Sequence, residues 1–299
     1  MEETPGGCEV KEIAILSGKG GTGKSTLSLA LFHLFNKEAV LVDADVDAPD
    51  LHLVLEPEVL KREDFEGGFV PVFNPEKCSL CGFCEAVCRF DAIEVRDEVV
   101  FHPHLCEGCG FCWNACPFEA IGKEREKAGE VYISRTRHGP FVHARLFPGK
   151  ENSGKLVTRV RMLAKFVASD KKIDTILLDG PPGIGCPVIS TLTGCTYAVA
   201  VTEPSLSALS DLERLKRLCD HFEVKMGMVI NRWDLNEEIT EKIEEYGKKN
   251  GVPVLGRIHF SEKIVEAMVN KKTIFEWDID DGIKREVKKI WEYISSLTG

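Results

Sequence analysis

Ser17-Gly18-Lys19-Gly20-Gly21-Thr22-Gly23-Lys24-Ser25-Thr26 is the stretch around which the rest of the chain is organised. From Gly18 to Ser25 it spells Gly-x-x-x-x-Gly-Lys-Ser, the pattern of a loop that cradles phosphates. The flanks agree with it. Ile13-Ala14-Ile15-Leu16 is a short apolar run suited to a buried parallel strand, and Leu27 to Phe35 is an apolar-rich segment suited to a buried helix. A glycine-rich turn from strand into helix aims backbone N–H groups and the positive helix end at phosphate. In that geometry Lys24 reaches the β/γ-phosphates of a nucleotide, and Ser25 gives its hydroxyl to Mg²⁺.

The totals narrow the class. At 299 residues, with 43% hydrophobic and 29% charged residues, the chain can bury a real core in one large or two modest domains. A net charge of −10 argues against broad nucleic-acid affinity, because phosphate backbones want a basic face. No stretch approaches the roughly 18 apolar residues of a membrane span, and Met1-Glu2-Glu3-Thr4-Pro5 lacks the apolar run of a signal peptide. A cytoplasmic protein is the expectation, with no nucleic acid and no membrane among its partners.

Twelve cysteines say more than the charge does. Cys8, Cys186, Cys195 and Cys219 are scattered, while eight fall in two runs. Cys78-x-x-Cys81-x-x-Cys84-x-x-x-Cys88 is followed by Cys106-x-x-Cys109-x-x-Cys112-x-x-x-Cys116-Pro117. In a reducing cytosol such clustering reads as metal ligation. Zinc also uses Cys-x-x-Cys pairs, but as two pairs with a long spacer. Four cysteines within eleven residues, twice over, resemble the bacterial two-cluster ferredoxin. That resemblance implies that Cys78, Cys81, Cys84 and Cys116 hold one 4Fe–4S cluster, and Cys106, Cys109, Cys112 and Cys88 the other. An internal echo supports the repeat: Phe90-Asp91-Ala92-Ile93 after the first run matches Phe118-Glu119-Ala120-Ile121 after the second. Arg89 replaces the proline expected after the first run, a change that bears on potential more than on assembly.

A second lysine refines the loop. With Lys19, the pattern KGGTGKST resembles the deviant Walker A loop of the MinD/ParA/Mrp class of P-loop ATPases, which includes the nitrogenase iron protein. The resemblance implies that Lys19 reaches the nucleotide of a partner subunit, so that ATP closes a dimer. Ala39-Val40-Leu41-Val42-Asp43 reads as a second buried strand running into acidic residues, at the end where such sheets bind ligands. By the same resemblance this is switch I, with Asp45 positioning the attacking water and Asp43 closer to Mg²⁺ and strand-end packing. Asp47 and Asp50 are either caps or site residues.

Asp174-Thr175-Ile176-Leu177-Leu178-Asp179-Gly180-Pro181-Pro182-Gly183 supplies the remaining landmark. Asp179 stands at the Walker B position, where a carboxylate orients Mg²⁺, and Gly183 resembles the switch II glycine that pivots towards the γ-phosphate. Asn231 matches the class position at which an amide reads the adenine edge. Cys186 lies inside this switch, with Cys195 its only near partner for a cluster shared between subunits. The Cys-x-x-Cys of Mrp-type scaffold proteins is lacking.

Three further buried strands are expected at Tyr197–Val201, Lys225–Ile230 and Val252–Gly256. A helix through Leu206, Leu209, Leu212, Leu215 and Leu218 follows the first of them. Val131–Ser134 and Phe141–Leu146 read as a hairpin. The tail, with Ile283, Val287, Ile290, Trp291 and Ile294 on one face, reads as a docked terminal helix rather than a membrane-binding one.

The expected fold is therefore α/β, a doubly wound, mostly parallel MinD-like P-loop sheet with an inserted bacterial-type ferredoxin α+β module. The boundaries place the first part of the ATPase domain at 1–64, the insert at 65–125 and the second part at 126–299. The leading functional reading is a Mg-dependent ATPase whose ATP-closed homodimer, or heterodimer with a paralogue, gates electron transfer from two 4Fe–4S clusters to a protein partner. Alternatives are an iron–sulfur cluster assembly or carrier ATPase, and a MinD/ParA-like positioning ATPase with structural clusters.

Overall fold

The computed structural model describes residues 10–298. Met1–Pro5, read above as leaderless, and Cys8 lie outside the described residues. The chain forms two compact units. Among the described residues, one contains residues 10–63, Val131–Arg145 and residues 153–298, and the other Asp64–Glu130 with Leu146–Asn152.

In chain order the first unit opens with β1 (Lys11–Ser17), α1 (Lys24–Phe35), β2 (Ala39–Asp43) and α2 (Leu51–Leu55). Strand β3 (Glu58–Phe73) carries the chain into the second unit, which holds α3 (Phe83–Ala86), β4 (Ile93–Val95), β5 (Val99–Phe101) and α4 (Phe111–Ala115). Strand β6 (Ile121–Arg135) carries it back. There follow β7 (Pro140–Leu146), α5 (Ser153–Lys171), β8 (Thr175–Pro182), α6 (Cys186–Leu192), β9 (Tyr197–Thr202) and α7 (Ala208–His221). The chain ends in β10 (Lys225–Asn231), α8 (Glu237–Asn250), β11 (Val254–Ile258), α9 (Glu262–Val269) and α10 (Asp281–Thr298).

The main sheet has the order β11-β10-β9-β1-β8-β2-β7-β6-β3. From β11 across to β7 every neighbouring pair of strands is parallel. The fold is thus α/β with a mostly parallel central sheet. Strands β6 and β7 meet through a tight turn in which the Thr136 N–H donates to the Gly139 carbonyl at 2.9 Å. The central strands read as unbroken apolar runs because helices cover both faces; Ile13, Ala14, Ile15 and Leu16 of β1 are all fully buried.

Sheet order places the ligand crevice. Strand β1 lies between β8 and β9, so consecutive elements leave it in opposite directions, and the loops at its carboxyl end splay apart there. Helix α1 starts in that crevice. It is buried along most of its length, through Leu27, Leu29, Ala30, Leu31, Phe32 and Phe35.

Several boundaries differ from the sequence reading. Strand β8 continues past Asp179 to Pro182, because Gly180 lets it run against β1: a Cβ there would lie 2.3 Å from Leu16 Cδ2. Strand β11 starts at Val254, after Pro253, which has no N–H to give a ladder. Leu206 falls outside α7 and is 95% exposed. The boundaries drawn at 64/65 and 125/126 cut through β3 and β6, since sheet pairing needs no change in composition.

The terminal helix is docked. Ile283, Val287, Ile290 and Ile294 of α10 are buried in the main core beside Phe35 and Leu31, and α10 lies against α1 and β11. This face is used inside the protein, and no helix among the described residues is long and apolar enough to cross a membrane. Ile290→Ala should cost the first unit about 2–5 kcal/mol by removing buried methyl groups and leaving a cavity. Urea unfolding followed on that unit checks this, and a loss below about 1 kcal/mol would contradict the packing.

Candidate functional site

The phosphate loop is built on two glycines that tolerate no side chain. Gly23 caps α1 with φ 95°, and a Cβ there would sit 2.4 Å from Asn231 Nδ2. At Gly18 a Cβ would fall 2.2 Å from Asp211 Cβ, on α7. Asn231 is spent partly on the loop itself: its Nδ2 donates to the Thr22 carbonyl at 2.8 Å, and its Oδ1 accepts the Arg232 N–H at 3.1 Å. The amide therefore pins the loop and retains one further N–H. Gly23, Thr26 and Asn231 line a mainly apolar cavity of about 150 Å³ that runs under α1 to Ile258 and Phe260.

Beneath the loop the acidic residues converge. Asp43 and Asp179 are register partners at the ends of β2 and β8, and both are buried. Ser28 Oγ donates to Asp179 Oδ1 at 2.6 Å, and Ser25 Oγ to Oδ2 at 2.9 Å. Lys24, also buried, lies close to Asp45, Asp50 and Asp179. Burial pushes the Asp179 carboxyl up to about 7, against the pull of Ser28, Lys24 and Ser25. Burial, with Asp179 alongside, likewise holds Asp43 well above the usual carboxylate range. Two buried carboxylates side by side with a serine hydroxyl are a donor set that Mg²⁺ would complete, since the ion relieves their repulsion.

Asp43 also has a positional task. Its Oδ1 accepts the Asp45 N–H at 3.2 Å and its Oδ2 the Leu51 N–H at 3.3 Å, so it fixes the acidic loop between β2 and α2. Asp45 is half-buried and raised by desolvation, while Asp47 is exposed. Asp50 occupies the cap position of α2 but makes no side-chain cap bond, and faces Ser25 and Lys24 instead. The sequence left that choice open. Ser28 was missed outright, although it stands one helical turn after Lys24 and so faces the same side.

Lys19 is held away from its own loop. Its ammonium meets Glu203 Oε1 at 2.8 Å and Ser205 Oγ at 2.9 Å, and Arg232 takes Glu203 Oε2 at 3.0 Å. Gly20 and Gly21 are exposed beside it. Gly183, at φ 88°, donates its N–H to the Ser17 carbonyl at 2.9 Å, tying the end of β8 to the start of the loop.

The second unit brings its cysteines together. One cavity is lined by Cys78, Cys81, Cys84 and Cys116, among Phe73, Val95 and Ile121. Cys88, Cys109 and Cys112 lie in the electrostatic neighbourhood of Cys106. The two halves repeat in backbone: α3 and α4 start from left-handed Gly82 and Gly110, and Asp91 and Glu119 are left-handed after the fourth cysteine of each run. The Ala92 and Ala120 N–H groups each donate to the sulfur of Cys88 and Cys116 at 3.4 Å. In the first unit Cys186 is exposed, whereas Cys195 is buried, donates to the Thr191 carbonyl, and has its thiol pushed up to about 12 by burial. These two are not presented together, so they do not make a shared surface site.

Comparison with known proteins decides the family. Residues 13–274 match the CobQ/CobB/MinD/ParA nucleotide binding domain. The chain belongs to that family. It is 39% identical over 235 residues to the uncharacterized protein MJ0578 of Methanocaldococcus jannaschii, covering 76% of this chain and 80% of that protein. A second protein of the same organism, MJ0579, is 29% identical over 77% of this chain and 82% of its own length. The septum site-determining protein MinD of Pyrococcus horikoshii, solved with Mg-ADP, shares the fold at a TM-score of 0.59 and 18% identity, over 97% of this chain and 98% of that one.

As a MinD/ParA-like ATPase, the chain has its glycine-rich loop, buried carboxylates and the apolar cavity beside Asn231 around the start of α1. These likenesses favour the MinD/ParA-like reading over one defined by electron transfer. The pH behaviour of the nucleotide-free site follows from Asp179. A folded value near 7, above the ordinary 3.8, means that folding takes up a proton, so stability falls as pH rises from about 4 to about 7. Asp179→Asn should reduce that slope, leaving the part due to Asp43, Asp45 and Asp50, and stabilise the nucleotide-free protein at pH 8 by up to about 4 kcal/mol. Denaturation at several pH values tests it; an unchanged slope would contradict the burial of this carboxylate.

Proposed function

We propose that the chain is a Mg-ATP-dependent switch of the MinD/ParA kind, closing as a homodimer or with a paralogue, and that its second unit holds two 4Fe–4S clusters. The observation that carries the switch is the Lys19 ammonium, held by Glu203 and Ser205 beside a complete phosphate loop. A lysine parked on a neighbouring carboxylate is available to exchange that partner for phosphate oxygens of a second copy. Lys24 would neutralise the β/γ-phosphates, and Ser25 and Asp179, with Asp43 behind them, would hold Mg²⁺. Asp45 would orient water for in-line attack, and Gly183 would let switch II follow the γ-phosphate. Asn231 would offer its remaining N–H to adenine. Two similar M. jannaschii proteins, 39% and 29% identical to this chain, support a paralogue as one form of partner.

Lys19→Ala should abolish ATP-dependent dimerisation while leaving ADP binding intact. Glu203→Gln should strengthen the ATP-dependent dimer by up to about fivefold, the equivalent of a partly exposed ion pair. Sedimentation velocity with ADP and with a non-hydrolysable ATP analogue reads both variants. Dimerisation of Lys19→Ala as in the parent chain would remove Lys19 from the switch.

The eight thiols support the cluster assignment by their placement. Cys78, Cys81, Cys84 and Cys116, drawn from both runs, line one cavity, as crossed ligation in two-cluster ferredoxins requires. Burial raises the Cys84, Cys106 and Cys112 thiols, so these must shed protons on ligation. When bound, such clusters supply one-electron transfer at low potential. Cys81 and Cys109 are exposed, amid solvent-facing Phe83, Phe111 and Phe118. This favours, as a second reading, delivery of electrons to a protein partner over a purely structural use. Anaerobic reconstitution should yield about eight irons per chain, and a redox titration by electron paramagnetic resonance should shift with the ATP analogue under the second reading. Eight irons without a shift leave the switch with structural clusters; four or fewer would refute the two-cluster assignment.

A further inference from the structure

At the end of α1 remote from the phosphate loop, a second set of ligating side chains converges within the first unit. His33 lies in the last turn of α1, His138 in the β6–β7 turn, and Glu276 between α9 and α10. One ligating atom from each lies within 4.8 Å of the others. The imidazoles are 4.6 Å apart between centroids and tilted by 44°, so they do not stack face to face.

Two of the three side chains, His33 and Glu276, are held by neighbours of their own. Thr273 Oγ1 engages His33 Nδ1 at 3.0 Å, which leaves Nε2 as the nitrogen for coordination. His138 is 7% exposed, and its Nε2 is buried without a hydrogen-bond partner. Glu276 Oε1 lies 3.4 Å from that nitrogen. Glu276 is oriented by Arg137, whose Nε donates to Oε1 at 2.7 Å and Nη2 to Oε2 at 2.9 Å, and by the Thr273 N–H to Oε2 at 2.8 Å. Arg137 is itself anchored on the carbonyls of Val54, Leu55 and Lys271. Such outer partners orient ligands around metals.

We propose that His33, His138 and Glu276 form a binding site for one divalent transition-metal ion of the zinc class, with water as the remaining ligand. Two imidazoles and one carboxylate suit such an ion, whereas Mg²⁺ and Ca²⁺ take oxygen donors. Burial lowers both histidines, so the imidazoles are neutral at pH 7 and need release no proton to bind. Arg137, paired with Glu276, tempers the affinity by its positive charge. The ion would tie the end of α1 to the β6–β7 turn and to the segment that leads into α10. This inference is independent of the nucleotide and cluster assignments.

The test is zinc K-edge X-ray absorption on the anaerobically reconstituted chain, with equilibrium dialysis for stoichiometry. One zinc per chain should show a nitrogen/oxygen shell at about 2.0–2.1 Å, distinct from thiolate sulfur at about 2.3 Å. Zinc should also raise Tm. His33→Asn and Glu276→Gln, both placed at partly exposed positions, should each weaken that uptake by more than about tenfold. A shell of sulfur alone, or nitrogen/oxygen uptake unchanged in both variants, would overturn the proposal.

Discussion

Asp43 and Asp179 stand side by side at the ends of adjacent parallel strands, both out of water and both held above their usual titration range. Nothing in folding alone rewards that arrangement, because a buried carboxylate costs free energy unless a cation or hydrogen bonds answer it. Here Ser25, Ser28 and Lys24 answer from α1, and the backbone N–H groups of Asp45 and Leu51 answer from the acidic loop. The start of α1, the end of β2 and the end of β8 are therefore locked to one another through charge. A divalent cation bound there would bring the positive charge that the two carboxylates lack.

The same economy of contact recurs around the loop. Gly18 is close-packed by Asp211 and Gly23 by Asn231, so elements distant in sequence set the shape of the phosphate cradle. Lys19 is held on its own chain by Glu203 and Ser205. In the second unit the corresponding convergence is of cysteine thiols. Left-handed Gly82 and Gly110 turn each run so that sulfurs from separated stretches face a common cavity.

Legibility followed the range of the interaction concerned. The Gly18–Ser25 pattern, the buried strands β1, β2, β8, β9 and β10, and the docked face of α10 were all readable, because each is written in local spacing and hydrophobic period. Asp50 was ambiguous, since a cap position and a site position look alike until α1 is packed beside α2. The return segment Leu146–Asn152, which joins the second unit, could not be assigned from composition. Leu206 fitted a leucine period and yet lies outside α7, because Pro204 precedes it and the Ser205–Glu203 turn breaks the helix.

By itself, then, the sequence determined the nucleotide loop, the alternation of strands and helices, and the paired cysteine runs, because these depend on residues near one another along the chain. Only the tertiary structure decided that Asp43 spends its oxygens on the acidic loop, that Asn231 pins Thr22, and that Glu203 restrains Lys19. The same holds for the meeting of His33, His138 and Glu276, whose positions span 243 residues and carry no common spacing. The reason is physical: a carboxylate or imidazole is defined by the charges and donors packed around it, and those come from elements that only the fold brings into range.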